Sequence, residues 1–495
     1  MENLKQTNVR TNFLYQACYQ ILILALPFIT SPYVSRVLGA EGLGVYSYSR
    51  SVAYYFVLVS MLGVLNYGNR SIARCRDNKI ELDKEFSGIV TVHVIVSLIC
   101  IIAYILYAAF IAKEQLYALM QMAYVLSGLF DITWFYHGIE KFKLTVARNT
   151  PIKIITVVLV FAFVRDTDDL WIYCVIMSAS ILLSQIILWL PLRKHVHYSF
   201  PAKNEIIKHM KPMLILFIPT IAISLYKYMD KIMIGLLSNK TQLGYYENAE
   251  NIVGVLTSII GSLGTVMLPQ MANLTANKRM EQFYRYIKIS MRYVMILALA
   301  MSFGLAGIAK VFAPVFWGTT FEASGSLIQV LVITVPFVSF ANVIRTQFLL
   351  PQEKDLEYMI SVIAGAVVNL TANALLIPKC GAVGASFATV FAEGTVCFIQ
   401  SIAVRRDLPI CSYIKDIVPF GVLGLFMFVI VYNIKNIISN QMVCLLVQLL
   451  VGVVIYGIPM AGILYRKRDT VVISFLHKRN VKEELELQEI DELTR

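Results

Sequence analysis

Between Phe13 and Tyr465 apolar stretches follow one another with only short polar breaks, and each stretch is long enough to cross a bilayer. A spanning helix needs about 20 apolar residues at roughly 1.5 Å of rise each. Fourteen such segments fit the chain, starting near residues 12, 43, 86, 115, 144, 170, 212, 243, 286, 324, 357, 383, 414 and 443. The pattern predicts an all-α, polytopic membrane protein. The loops between segments alternate in charge. Those after the second, sixth, eighth and twelfth spans hold clusters such as Arg70, Arg74 and Arg76, or Arg193, Lys194 and Lys203, or Lys278, Arg279 and Arg285, or Arg405 and Arg406. The loops between these hold about one positive charge each, as with Lys113, Arg165 and Lys240. Because cytoplasmic loops carry the excess of Lys and Arg, both termini are expected in the cytoplasm.

A weak internal echo organises the spans. Gly44 to Val52 in the second span is similar to Gly244 to Ile252 in the eighth, and each follows a Pro-containing span, with Pro27 and Pro32 in the first and Pro219 in the seventh. An even number of helices per unit relates the units by an axis along the membrane normal and leaves a central cleft between them, as in alternating-access transporters. The expected division is a six-helix lobe over residues 1–198, a second over 199–408, two additional helices over 409–466 and a cytoplasmic tail over 467–495.

Composition removes several other classes. With 58% apolar and 15% charged residues and a mean hydropathy of +0.68, no large water-soluble domain fits. The net charge of +12 lies mostly in juxtamembrane loops, where topology and anionic headgroups account for it and nucleic acid is not needed. Eight cysteines are scattered without CxxC or Cys/His metal spacing. There is no P-loop, the six histidines form no constellation, and no long external loop is available to house a glycosyltransferase or polymerase site.

Ionisable groups inside spans are costly unless they face a polar cavity or a partner, so each is a functional candidate. The cationic set is Arg50 in the second span, Arg148 and Lys153 in the fifth, Lys227 and Lys231 in the seventh, and Arg345 in the tenth; Asp131, Asp230, Glu247, Glu250 and Glu393 are acidic. Helical spacing lets Asp230 share a face with Lys227 and Lys231 and pair with one of them, which leaves a positive charge over. A wet, net cationic cleft suits an anionic solute, and the planar fork of Arg suits phosphate. A cation-coupled drug exporter would instead call for an acidic cleft.

Several loose motifs agree in order and spacing: Arg36-Val-Leu-Gly39, Gly42-x-Gly44-x-Tyr46 and Tyr67-Gly68 near the start, then Asp230-Lys231-Ile-Met-Ile-Gly235, Gly244-Tyr-Tyr246, Pro351-x-Glu353-Lys354 and Gly381-Ala-Val-Gly-Ala-Ser386. In these the chain resembles the Wzx-type polysaccharide flippases of the multidrug/oligosaccharidyl-lipid/polysaccharide exporter superfamily. The resemblance implies about fourteen helices in two lobes. It implies movement of a polyprenyl-pyrophosphate-linked oligosaccharide from the cytoplasmic to the outer leaflet of a bacterial cytoplasmic membrane, for lipopolysaccharide, capsule or exopolysaccharide synthesis. No cofactor is implied beyond Na+ or H+ as coupling ion; the implied protein is a monomer working beside a polysaccharide polymerase or chain-length regulator. The related lipid II flippases carry an arginine on the second helix that Arg50 matches, whereas Thr30 and Asn251 stand where their other cleft arginines would be. Lys153, Lys227 and Lys231 are the implied replacements, with Arg148 and Arg345 as further candidates. Those relatives hold sodium on a set that Asp230, Asn369, Asn373 and Thr389 match in order and spacing. Peptidoglycan-precursor flippases and multidrug exporters of the same superfamily are the alternatives.

Overall fold

A computed structural model describes residues 9–466; the polar ends, including the expected tail, lie outside the described residues. Among the described residues every regular element is helical. In chain order these are α1 (Val9–Met61), α2 (Val64–Cys75), α3 (Lys79–Phe110), α4 (Gln115–Met120), α5 (Met122–Leu129), α6 (Thr133–Gly138), α7 (Phe142–Phe163) and α8 (Leu170–Ile187). They continue as α9 (Lys203–Leu237), α10 (Lys240–Ala276), α11 (Met280–Trp317), α12 (Glu322–Leu331), α13 (Thr334–Ile344), α14 (Asp355–Ala403), α15 (Ile410–Ile434) and α16 (Gln441–Arg466).

Nine of the described segments are long and apolar enough to cross a membrane, and the bent pair α12 and α13 makes a tenth. Two of the nine hold two expected spans each. In α1 the helix is broken at Gly39 (φ +68°), and in α14 at Gly381 (φ +56°), a backbone region that a Cβ disfavours. With α7 (22 residues) and α9 (35 residues) added, the expected fourteen spans are accounted for. The fourth is assembled from α4, α5 and α6 rather than from one helix. Outward-facing stripes such as Leu98, Ile99, Ile102, Ile105 and Leu106 on α3 are exposed, as apolar residues are when lipid is the solvent.

Packing divides the chain into two compact units. The first holds the chain up to Asn251 with Phe316–Leu327 and Met359–Val396; the second holds Ile252–Val315, Ile328–Tyr358 and the chain from Cys397. The first unit has a core of fully buried Ile72, Phe86, Trp134, Phe135 and Tyr136, where α2, α3 and α6 meet. In the second, α15 and α16 pack beside α11, with Tyr456 Oη donating to the Ile296 carbonyl at 2.9 Å and Arg292 paired with Asp416 at 2.5 Å.

Within the first unit the echoing segments of α1 and α10 touch each other. A Cβ on Gly44 would strike the Lys240 carbonyl, and a Cβ on Gly244 would strike the Ala40 carbonyl. Ala40 and Lys240 are separated by the same 200 positions as Gly44 and Gly244, so the crossing is reciprocal. Small residues at such a crossing let two backbones approach directly. Gly44→Val is expected to destabilise the protein by about 1–3 kcal/mol through overpacking. The check is the unfolding temperature in detergent, which would stay at the wild-type value if the backbones had room to spare.

Candidate functional site

The first unit contains a cavity of about 520 Å³ walled by both spans of α1, by α6, and by α7 and α8. On α7, Asn149, Ile152, Lys153 and Thr156 recur at helical spacing and present one face to it; on α8, Tyr173, Met177, Ser180 and Ser184 do the same. Leu26, Pro27 and Thr30 come from the first span and Arg50 from the second. Three cations, Arg50, Arg148 and Lys153, therefore line one cavity, and no carboxylate is among its lining residues.

The two arginines are held differently. Arg148 is anchored: its Nη1 donates to the Ser184 carbonyl at 2.6 Å and to Gln185 Oε1 at 3.2 Å, and its Nε donates to Asn149 Oδ1 at 3.1 Å. Gln185 in turn donates to Asp131 at 3.1 Å, and that carboxylate also accepts from the backbone and hydroxyl of Thr133. Arg50 instead lies over the ring of Tyr124, 4.2 Å from its centroid, and its Nη1 is buried without an acceptor. A buried guanidinium nitrogen without an acceptor is costly unless something supplies one, and Arg50 opens onto the cavity.

The remaining cationic candidates lie elsewhere. Lys231 is buried and bridges two carboxylates of α10, Glu247 at 2.7 Å and Glu250 at 2.9 Å; Glu247 also accepts from Ser47 at 2.6 Å. Of the two bases expected to pair with Asp230, Lys231 turns to these glutamates instead, since adjacent residues on a helix point about 100° apart. The side chain of Lys227 lies outside the described residues. Arg345 belongs to the second unit, where it sits over the Tyr358 ring at 5.7 Å.

Asp230 gathers a second constellation. It accepts from Asn373 Nδ2 at 2.6 Å, Thr389 Oγ1 at 2.8 Å and Tyr246 Oη at 2.9 Å, and Asn373 Nδ2 also reaches Asn369 Oδ1 at 3.1 Å. The four residues that the sequence puts in order thus meet around one carboxylate, joined by Tyr246, which the sequence shows as part of the Gly244-Tyr-Tyr246 motif but not as a member of this set. Asn373 Oδ1 is buried with no partner. An ion-sized cluster of a carboxylate, amide oxygens and a hydroxyl is the donor set a hard cation takes. Elsewhere among the described residues no group of three or more His, Cys, Asp and Glu could hold a metal ion. Sequence reasoning also missed Glu247 and Glu250 as partners of Lys231; their spacing of three, which puts both on one helix face, was the available signal.

Comparisons with known proteins agree on the family. The family described as "Polysaccharide biosynthesis protein" matches residues 9–275, and that described as "Lipid II flippase MurJ" matches residues 147–453, each more than half of the chain. A "Putative O-antigen transporter" of Escherichia coli (strain K12) is 23% identical over 414 residues, covering 82% of this chain and 99% of that protein. One of the same description from Shigella dysenteriae is 23% identical over 390 residues, covering 77% of this chain and 96% of that protein. Among solved structures, the lipid II flippase MurJ in an inward closed conformation superposes with a TM-score of 0.75 at 15% identity, over 92% of this chain and 99% of that one. An inward-facing multidrug transporter of the MATE family gives a TM-score of 0.57 at 14% identity, over 79% of this chain and 99% of that one. These two likenesses are of fold. A multi-pass chain that is helical among its described residues, matched over most of its length by the polysaccharide biosynthesis and lipid II flippase families and over most of theirs by O-antigen transporters, is a transporter rather than an enzyme, and it belongs to the Wzx-type flippases of the multidrug/oligosaccharidyl-lipid/polysaccharide exporter superfamily.

Proposed function

We propose that the chain moves a polyprenyl-pyrophosphate-linked oligosaccharide from the cytoplasmic to the outer leaflet of a bacterial cytoplasmic membrane by alternating access, with the pyrophosphate held by Arg50, Arg148 and Lys153. The observation that carries this reading is the convergence of those three cations on a cavity with no carboxylate in its lining. A pyrophosphate brings two charges and enough oxygens to occupy the Arg50 fork and an anchored Arg148 together. The hydroxyls and amides of Thr133, Asn149, Thr156, Ser180 and Gln185 around them suit the adjoining sugar. Lys231 is neutralised by its two glutamates, so its role in this reading is structural, and Arg345 is left outside the phosphate site.

The second unit carries an open, almost wholly apolar groove of about 920 Å³ between α11 and the α15–α16 pair, walled by residues such as Leu297, Met301, Met427, Val453 and Tyr456. Its lining offers an apolar chain almost no polar group to desolvate. The loop charges support cytoplasmic termini. The chain works as a monomer in this reading and passes its substrate to a polymerase or chain-length regulator.

The coupling ion is assigned to the Asp230 cluster. Sodium would take oxygens from Asp230, Asn369, Asn373 and Thr389, the Asn373 amide turning so that its unpartnered oxygen faces the ion. Asp230→Asn removes the charge and keeps the shape. Transport by this variant is expected to become insensitive to an imposed sodium gradient while remaining measurable; sodium stimulation equal to wild type would exclude the cluster, and stimulation by a proton gradient alone would assign H+.

The test of function is translocation in proteoliposomes of a polyprenyl-pyrophosphate-linked sugar, read as its accessibility to an external sugar oxidant or lectin. A second reading, the peptidoglycan precursor, is favoured by the match of residues 147–453 to the lipid II flippase family. Both substrates share pyrophosphate and tail, so the glycan alone separates them. Movement of an O-antigen-type oligosaccharide but not of lipid II supports the first reading, the reverse supports the second, and movement of neither removes both.

A further inference from the structure

The stretch joining α8 to α9 is not helical over residues 196–202 and runs along the start of α3. Three tethers at two-residue spacing hold it there. Lys79 Nζ donates to the His195 carbonyl at 2.5 Å, the His197 N–H to Asp83 Oδ1 at 3.0 Å, and the Ser199 N–H to Ser87 Oγ at 3.0 Å. The partners on α3 are four residues apart. Four helical residues rise about 6 Å and two extended residues about 6.6 Å, so the two repeats stay in step for the whole contact. Val196, His197, Tyr198 and Phe200 line a groove of about 940 Å³ together with Phe86, Val90 and Trp189. Phe200 is 88% exposed, and Tyr198 is steadied by a 3.0 Å contact between its hydroxyl and that of Thr91. An aromatic wall with one polar end is the composition found at a membrane interface.

The charges at that end are unbalanced. Three of the nearby acids each have a base: Asp83 has Lys79 at 2.8 Å, Glu85 has Lys208 at 2.7 Å, and Glu205 has Lys84 at 2.7 Å. Burial lowers the pKa of His195, and Lys141, Lys79 and Lys194 lower it further, so this ring adds no charge near neutral pH. Arg193, on the groove itself, and the exposed Lys194 and Lys203 have no carboxylate partner among the described residues. An apolar trough of this volume, at the upper end of the range for small-molecule pockets, therefore opens beneath a surplus of positive charge.

We propose that this groove is a binding site for an anionic phospholipid, with an acyl chain against Phe86, Val90 and Trp189 and the phosphate at Arg193 and Lys194. It is separate from the phosphate-binding cavity, since the two share no lining residue. The bound lipid would clamp the α8–α9 connection to α3 and so stiffen one half of the transporter in membranes rich in anionic lipid.

Trp189 reports on the groove directly. Trp134 and Trp317 are fully buried, and Trp171→Phe removes the exposed indole, which leaves the half-buried Trp189. The full chain in phosphatidylcholine vesicles would be titrated with phosphatidylglycerol brominated on its acyl chain, and separately with phosphatidylcholine brominated in the same way; Trp189→Phe gives the background. Brominated phosphatidylglycerol is expected to quench at a clearly lower mole fraction, and Arg193→Gln to raise its half-quenching fraction roughly fivefold. Arg193 is exposed and unpaired, so an unchanged melting temperature confirms that the variant is folded. Equal quenching by the two lipids in proportion to mole fraction, or no effect of Arg193→Gln in a folded protein, would overturn the proposal.

Discussion

Replacing Arg50 by alanine is expected to abolish translocation of the lipid-linked sugar while the protein still reaches the membrane folded. Its buried Nη1 has no acceptor, so the substitution strands no partner and removes a desolvated group that gives the fold little beyond its stacking on Tyr124. Each charge-assisted hydrogen bond to a phosphate contributes about 1.5–3 kcal/mol, so losing a bidentate pair slows transport on the order of a hundredfold or more. Arg50→Lys should recover only part, because an ammonium is a point charge without the fork. The measurement is transport rate per folded molecule, with expression and melting temperature beside it. A parallel fall in all three would make Arg50 a structural residue and remove it from the site.

Lys231→Met should behave in the opposite way. It leaves Glu247 and Glu250 partly buried and without their counter-ion, and breaking a buried ion pair from one side costs about 3–5 kcal/mol. Yield and thermal stability should fall first, and transport only with them. The triple variant Lys231→Met, Glu247→Gln, Glu250→Gln removes the stranded charge and is expected to recover much of the stability, since a buried ionic group can be replaced by a neutral one of similar volume. If Lys231→Met is as stable as wild type but does not transport, and the triple variant does not recover activity, then Lys231 touches the substrate and its glutamates only position it.

How far the sequence reaches is clear from these residues. The helical, membrane-spanning class follows from hydropathy, because a bilayer leaves the backbone no choice except to satisfy itself locally. Arg50 was legible for a related reason: a charge two turns into an apolar helix has few explanations. What spacing could not tell is which neighbour a charged group meets. Asp230 and Lys231 are adjacent in sequence but turn to different partners, one to Asn373 and Thr389, the other to Glu247 and Glu250. Those partners sit on other helices, and only packing brings them together. Arg148 and Lys153 were visible as charges, but their assembly with Arg50 depends on how α1 crosses α7 and α8. The extended strap over α3 was hidden too, since residues 195–202 look like any polar loop until its alternate hydrogen bonds are seen.

The reciprocal crossing of α1 and α10 bears on how such a chain could have arisen. Gly44 rests on the neighbourhood of Gly244, and Gly244 on the neighbourhood of Gly44. If the two segments descend from one ancestral copy, that ancestor already needed a bare backbone at this point in order to dimerise with itself. Fusion into a single chain then freed most positions to drift apart, and the weak similarity of the halves is what remains of that freedom. At the crossing there was none, because a side chain gained by either copy would have collided with the other.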